Sequence, residues 1–293
     1  MKNRPIKHRF EGVLVRALFA LSAALPLDVA SAVGGWMARR FGPVIASSAH
    51  KTAIRNLKMI YPEKSDEERA RMLERIWDNL GRTAAELPHL PGKELPSRMQ
   101  IEGVEHLTAH GKQMLFISGH FGNWELNYVI SHLHNVPTTL IYRHANNPYV
   151  DNIMVKIRST RCSNMFQKGG KGAIKMAHAL KNGESIAMLI DQKMNDGIAV
   201  PFFGRDAMTA PAVAHIAMRY ELPIIPARVV RVGGAHFKAT IYPPLAYEIT
   251  GDKEKDALAI MTAINQTLED WIREYPEQWF WVHRRWPKEI MPA

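Results

Sequence analysis

The 293-residue chain has a single cysteine, Cys162. That excludes an internal disulfide framework and a cysteine-cluster metal site. No uninterrupted apolar run reaches the roughly 20 residues that a bilayer-crossing helix needs. The most apolar stretch, Ala17 to Leu27, is interrupted by Pro26 and flanked by Arg16 and Asp28. There is no G-x-S-x-G elbow, P-loop, H-E-x-x-H or dinucleotide fingerprint, which argues against hydrolysis through such a serine, phosphoryl transfer on a P-loop and zincin chemistry. Internal repeats and low-complexity tracts are also missing. No cofactor or metal is called for. The composition is otherwise ordinary for a globular chain, and the length suits one large domain or a domain with an appendage.

The formal charge of +10 is unevenly placed. Residues 1–60 hold ten Lys or Arg against Glu11 and Asp28, a net +8. A basic end interleaved with apolar residues suits an anionic membrane surface, whereas a nucleic-acid arm is more often polar and apolar-poor, so no nucleic-acid partner is expected. A merely solvated basic face is the bland alternative. Over residues 13–38 apolar runs alternate with small residues, which predicts a monotopic or shallowly inserted helical hairpin. A cleaved signal peptide is the rival, but no small-residue cleavage site precedes Gly34-Gly35.

Ser65-Asp66-Glu67-Glu68 is a capping box that predicts a helix through about Leu80, with Met72, Leu73, Ile76, Trp77 and Leu80 as its apolar stripe. Pro88 to Pro96 carries three prolines and reads as a linker. Beyond it the periodicity predicts strands at Met114 to Ser118, Thr138 to Arg143, Ser185 to Asp191, Ile224 to Arg231 and His236 to Tyr242. Helices are predicted at Trp124 to Leu133, Pro148 to Ser159, Lys171 to Lys181, Ala212 to Tyr220 and Lys253 to Glu274. This alternation predicts an α/β fold, a mixed central sheet flanked by helices. The expected division is 1–60, basic apolar membrane-associating helices; 61–96, a helical connection; and 97–293, a catalytic domain.

The stretch most charged with chemistry is Ser118-Gly119-His120-Phe121-Gly122-Asn123-Trp124-Glu125, a strand-to-helix turn loosened by two glycines. A turn of this kind lets Glu125 fold back onto the His120 imidazole, fix its tautomer and free the other ring nitrogen to act as a base. A surface hydrogen bond or a helix-start cap is the ordinary alternative for such a pair. Arg158, or backbone N–H groups at the Gly119 to Gly122 turn, could hold an oxyanion; Arg158 could equally bind phosphate or pair with Asp151. Asp191 ends a strand, where α/β sheets place ligands, or it caps a turn. Tyr142 and Arg143 end another strand on the same rim, and Asn123 joins Arg143 as a candidate for substrate or oxyanion contact. Trp279, Phe280, Trp281, His283, Arg284 and Arg285 combine aromatics with cations, either as membrane-interface residues or as a tail packed on the core.

Four stretches taken together resemble the bacterial lipid A biosynthesis acyltransferases, within the wider lysophospholipid acyltransferase superfamily. They are the turn from His120 to Glu125; Tyr142-Arg143 with Asn146-Asn147-Pro148, Asp151 and Arg158; Gly183-Glu184 through Asp191-Gln192 to Val200-Pro201-Phe202-Phe203-Gly204; and Tyr275-Pro276-Glu277-Gln278-Trp279 through His283-Arg284-Arg285. The similarity spans most of residues 10–290. It implies transfer of an acyl chain from acyl carrier protein to a hydroxyl of a lipid A precursor at the cytoplasmic face of the inner membrane. Another glycolipid or a lysophospholipid is the alternative acceptor, and a noncatalytic membrane-docking protein is the alternative of another class. The family's catalytic pair maps onto His120 and Glu125, and its downstream Arg and Asp onto Arg158 and Asp191. Gln192 and Lys193 stand where the family often carries a further acidic or His residue.

Overall fold

The computed structural model describes residues 4–107, 113–162, 164–167 and 170–291; Lys2 of the basic N-terminal stretch lies outside them. The chain opens on four helices, α1 (Arg4–Ala24), α2 (Leu27–Ile45), α3 (Ser47–Ile60) and α4 (Asp66–Glu86). Pro26 separates the first two: it has no N–H to continue α1, and its fixed φ of −54° suits the residue that precedes α2. The predicted capping box opens α4, where the Glu68 N–H donates to the Ser65 hydroxyl and the Ser65 N–H to the Glu68 carboxylate, the latter at 2.7 Å. The helix runs beyond the predicted end at Leu80 because its buried face continues in polar residues, Thr83 and Glu86, which an apolar stripe does not register. None of the helices among the described residues is long and apolar enough to cross a membrane.

The proline-rich stretch after α4 is packed rather than loose. It holds a short helix, α5 (Glu94–Ser97), and Leu90 and Leu95 are wholly buried. Next come β1 (Met99–Glu102), β2 (Leu115–Ser118), α6 (Asn127–Leu133), β3 (Thr138–Tyr142), α7 (Pro148–Arg158), β4 (Asn164–Gln167), α8 (Gly170–Lys181) and β5 (Ser185–Leu189). The chain continues through β6 (Ile198–Phe202), β7 (Arg205–Thr209), α9 (Ala212–Tyr220), β8 (Ile224–Gly233), β9 (His236–Ile241) and α10 (Lys253–Glu274). Seven strands form one sheet in the order β1-β9-β8-β2-β5-β3-β4, parallel throughout except for the β8–β9 hairpin. The sheet is therefore mixed and helix-flanked, as the alternating pattern predicts. Strands β6 and β7 form a separate antiparallel pair.

Strand β2 is central and buried on both faces, which is why it reads as a continuous apolar run. Leu115 and Ile117 pack with Val213, Ile216 and Ile260 of α9 and α10, while Phe116 packs on the opposite face with Leu126, Val129 and Leu140. A third cluster brings Leu57 and Ile76 of α3 and α4 against Phe121, Trp279, Trp281 and Trp286, so the C-terminal tail cements the N-terminal helices to the sheet end. Trp281, Arg285 and Trp286 are fully buried; of the two readings of that tail, core packing holds for these residues. The Arg285 guanidinium donates to the Thr209 hydroxyl at 2.7 Å and lies over the Phe202 ring. Strands β1, β4, β6 and β7 have no counterpart in the sequence reading. Strands β1, β4 and β7 mix polar residues into four or five positions and Pro201 interrupts β6, so none reads as the short apolar run that marks β2.

Helices α2 and α4 cross where Gly34 meets Gly81. A Cβ on Gly81 would lie 2.1 Å from the Gly34 carbonyl oxygen, and one on Gly34 would lie 2.6 Å from that of Gly81. Gly81→Ala is therefore expected to destabilise the protein by about 1–3 kcal/mol through overpacking. Thermal unfolding should show a midpoint lowered by several degrees, and an unchanged midpoint would mean that the two helices separate freely.

Candidate active site

Strands β2 and β5 are parallel neighbours with Ser118 opposite Leu189, and the Ile190 N–H donates to the Ser118 carbonyl at 3.0 Å. Two residues past each of these ends stand His120 and Asp191. The register alone brings them level at the carboxyl edge of the sheet, where open α/β sheets form their ligand crevices. His120 Nδ1 lies 2.8 Å from Asp191 Oδ1, and the His120 backbone N–H donates to Oδ2 at 2.7 Å. Gly119 allows the approach: a Cβ there would stand 3.2 Å from Asp191 Oδ2 and 3.1 Å from Leu268 Cδ2.

The Asp191 side chain is fully buried and accepts a third bond from the Trp279 indole N–H at 2.9 Å. Burial pushes its pKa up, but attraction to His120, the hydrogen bonds from it and attraction to His283 outweigh that and hold the carboxyl well below the usual range. Asp191 is therefore a carboxylate, and it fixes His120 as the tautomer carrying its proton on Nδ1. In the neutral ring the lone pair then lies on Nε2. The ring sits between Trp124 and Phe280, with centroids 5.3 and 5.5 Å away. The Gln192 amide nitrogen stands 3.5 Å from Nε2, and the imidazole retains partial exposure. Such a group is a competent general base.

The expected hydrogen bond from the His120 imidazole to the Glu125 carboxylate is not formed; Asp191 takes that place. Asn123 Oδ1 accepts from the Glu125 N–H and starts a short 3-10 turn over Trp124–Leu126, which carries the Glu125 carboxylate away from the imidazole and into the core. There it meets Arg158 at the end of α7, with Nε donating to Oε2 at 2.8 Å and Nη2 to Oε1. The Tyr128 hydroxyl and the Trp124 indole N–H add bonds of 3.2 Å each. Burial raises Glu125 and lowers Arg158, but their mutual attraction wins: Glu125 lies below its ordinary pKa and Arg158 above. Glu125 thus grips the indole that walls His120 and makes no bond to the imidazole.

The other predicted site residues are distributed as follows. Arg158 pairs with Glu125 and not with Asp151, whose carboxylate accepts from the Ala145 N–H and contacts His144. Asn123 is buried with its amide donating to Glu86 Oε2 at 2.8 Å, so both polar ends bond within the protein. The turn N–H groups are also committed: His120 to Asp191, Phe121 to the Gly119 carbonyl and Gly122 to that of Gln278, which removes these three as oxyanion donors. Arg143 is exposed just past β3, with no ion-pair partner among the described residues. Trp279, Phe280, Gln192 and His283 belong to the site without having been predicted there. His283 places Nε2 3.2 Å from the Asp191 carbonyl. Their only signal was membership of two of the four quoted stretches.

A sequence model described as bacterial lipid A biosynthesis acyltransferase matches residues 4–288 of the chain. Among curated proteins, the chain is 27% identical to the lipid A biosynthesis lauroyltransferase of Escherichia coli K12, covering 90% of this chain and 87% of that one. It is 23% identical to a lipid A biosynthesis acyltransferase of Haemophilus influenzae, over 94% and 88%, and 27% identical to the E. coli lipid A biosynthesis palmitoleoyltransferase, over 89% and 86%.

Replacing Glu125 with Gln leaves the Arg158 charge buried without its counter-ion, an expected loss of about 3–5 kcal/mol in unfolding free energy. The acid limb tests the ionic states. Both carboxyls have pKa values lowered on folding, so their stabilisation is complete above the unfolded values, about pH 4, and is lost as the pH falls through the folded ones. Stability between pH 4 and 2 should fall less steeply in Glu125→Gln and in Asp191→Asn than in the wild type; parallel limbs would refute the assignment.

Proposed function

This chain belongs to the bacterial lipid A biosynthesis acyltransferase family, and we propose that its His120–Asp191 corner catalyses transfer of a fatty acyl chain from acyl carrier protein to a hydroxyl of a lipid A precursor. The observation that carries this reading is the imidazole itself, with Nδ1 held by a buried carboxylate and Nε2 turned outward between two aromatic rings. In the proposed reaction Nε2 takes the proton of the acceptor hydroxyl while the oxygen attacks the thioester carbonyl. The C–S bond then breaks, and the imidazolium returns the proton to the leaving thiolate. No acyl-enzyme is required. Asp191 orients the base and stabilises the imidazolium. Arg158 uses Nε and Nη2 on Glu125, leaving Nη1 outside the pair as a candidate donor to the oxyanion. Arg143, exposed at the rim with no ion-pair partner among the described residues, suits an anionic part of a substrate. Glu125, onto which the family's catalytic acid maps, acts as a positioning residue through Trp124.

The same reading places the protein on the cytoplasmic face of the inner membrane. Support comes from α1 and α2, which turn Phe10, Val13 and Leu21 outward at 65–70% exposure, along with Trp36, Phe41 and Val44. Arg9, Arg16, Arg39 and Arg40 lie on the same two helices, the composition of an interfacial anchor on anionic lipid. Residues 1–60 as the membrane-associating part, 61–96 as the connection and 97–293 as the catalytic part remain the proposed division. A surplus of Lys and Arg also suits an acidic carrier protein.

The first test is transfer from carrier protein loaded with labelled chains of several lengths to a tetra-acylated lipid A precursor. His120→Ala and Asp191→Asn, each shown to be folded, should lose at least about a hundredfold in kcat. Label that moves only to another glycolipid or a lysophospholipid would reassign the acceptor, and wild-type rates in both variants would sink the mechanism. Sedimentation of the full chain with anionic vesicles should occur and should weaken at least about tenfold for Phe10→Asp combined with Leu21→Asp, since each change removes a buried apolar anchor. Equal sedimentation would overturn the anchor.

A further inference from the structure

A cavity of about 620 Å³ opens at the corner between α2 and α3, walled by the loop after β5 and by the C-terminal tail. Its polar lining is Ser47, Ser48, Thr52, Lys193, Asn195 and Arg284, and its apolar rim includes Ile45 and Val282. Two cations and the Ser47 and Ser48 side chains thus line one space with no carboxylate among the lining residues, while the Thr52 hydroxyl donates to the Ser48 carbonyl at 2.9 Å. Neither Lys193 nor Arg284 has an ion-pair partner among the described residues, in contrast to the largely buried guanidinium groups of Arg158, Arg228 and Arg231. Helix α3, with 14 residues, starts at this corner; Ala46 precedes it, no side chain caps it and its first turn holds no acid. Its first N–H groups are therefore open to an outside acceptor. By contrast Ser65, Asn147 and Asp252 cap α4, α7 and α10.

The cavity adjoins the catalytic corner. Lys193 is two residues past Asp191, so their Cα atoms are at most about 7–8 Å apart. Arg284 follows His283, which contacts the Asp191 carbonyl. The wall is held rigidly, because the Asn56 amide donates to the carbonyls of both Trp281 and His283, at 2.7 and 2.9 Å. Asn56 lies one helical turn beyond Thr52 on α3. On the other side the rim runs onto Val44 and Ile45, which are 78% and 83% exposed and belong to the apolar outward surface of α2.

We propose that this cavity is the subsite for a phosphoryl group on the head of the acceptor amphiphile, held by Lys193 and Arg284 with help from Ser47 and Ser48. This rests on the acyl-transfer reading above. A phosphate dianion matches two cations and has enough oxygens for the hydroxyls and helix N–H groups besides, where a carboxylate would leave several donors unused. The volume suits a sugar-phosphate head. The apolar rim favours a ligand whose anionic group lies beside its own acyl chains, which is the acceptor and not the donor's carrier. Seating the phosphate here would hold the acceptor while its hydroxyl reaches His120 Nε2.

Binding is measured by titration calorimetry on the full chain in dodecyl maltoside micelles, with dodecyl phosphate as the probe and inorganic phosphate and phosphopantetheine as competitors. Lys193→Gln and Arg284→Gln should each weaken dodecyl phosphate about tenfold, with unchanged thermal midpoints, as loss of a charge-assisted bond predicts. His120→Ala should bind as the wild type does. In the transfer assay the same two variants should raise KM at least about tenfold for a phosphorylated acceptor, leave kcat within a few fold, and leave KM for the dephosphorylated acceptor unchanged. Wild-type binding by both variants would overturn the proposal. So would inorganic phosphate binding as tightly as the amphiphile, which marks a free-phosphate site, or stronger competition by phosphopantetheine, which gives the cavity to the donor. Intact, variant-sensitive binding without any transfer would refute the acyl-transfer reading while supporting the phosphate subsite.

Discussion

Asp191 keeps a negative charge with none of its side chain exposed, and the site is built around the cost of doing so. Its oxygens accept the His120 ring N–H, the His120 backbone N–H and the Trp279 indole, while its own carbonyl lies beside His283. One carboxylate therefore ties together the turn after β2, the end of β5 and a tail nearly ninety residues further along the chain. The donors that make the buried charge tolerable also fix the base, so the stability of this corner and its chemistry have the same origin.

A second buried carboxylate, Glu86, does for the N-terminal helices what Asp191 does for the site. It ends α4 and pairs with Arg231 on β8 through both guanidinium arms, while also accepting from the Ser31 hydroxyl of α2 and the Asn123 amide. Asn79 and Thr83, on the same face of α4, hold the Gly122 carbonyl just beyond His120. Gly122 has φ +56°, and a Cβ there would stand 2.1 Å from the Val229 carbonyl oxygen, so only glycine lets the turn sit against the sheet. Helix α4 is thus bonded directly to the turn, and α2 reaches it through the Ser31–Glu86 bond. Orientation of one constrains the other.

The Glu125–Arg158 pair is a third buried ionic contact, and its geometry separates two carboxylates that the primary structure leaves ambiguous. Glu125 is close to His120 in the chain and distant in bonding; Asp191 is 71 residues away and in direct contact. Both carboxyls are kept ionised against burial, but by different partners, an imidazole in one case and a guanidinium in the other.

Much was legible before folding. Apolar periodicity located five strands and the larger helices because β2 and its neighbours are covered on both faces, and the Ser65 box and Pro26 marked helix ends through purely local chemistry. His120, Arg158 and Asp191 were recognisable as a set because their motifs recur in order. What the linear chain by itself determined was therefore the elements, their caps and the inventory of reactive groups. Which carboxylate orients the base, which aromatics wall it and which cations share a cavity were decided by the β2–β5 register and by the burial of the C-terminal tail. Those depend on contacts between residues far apart in the chain, and no local spacing encodes them.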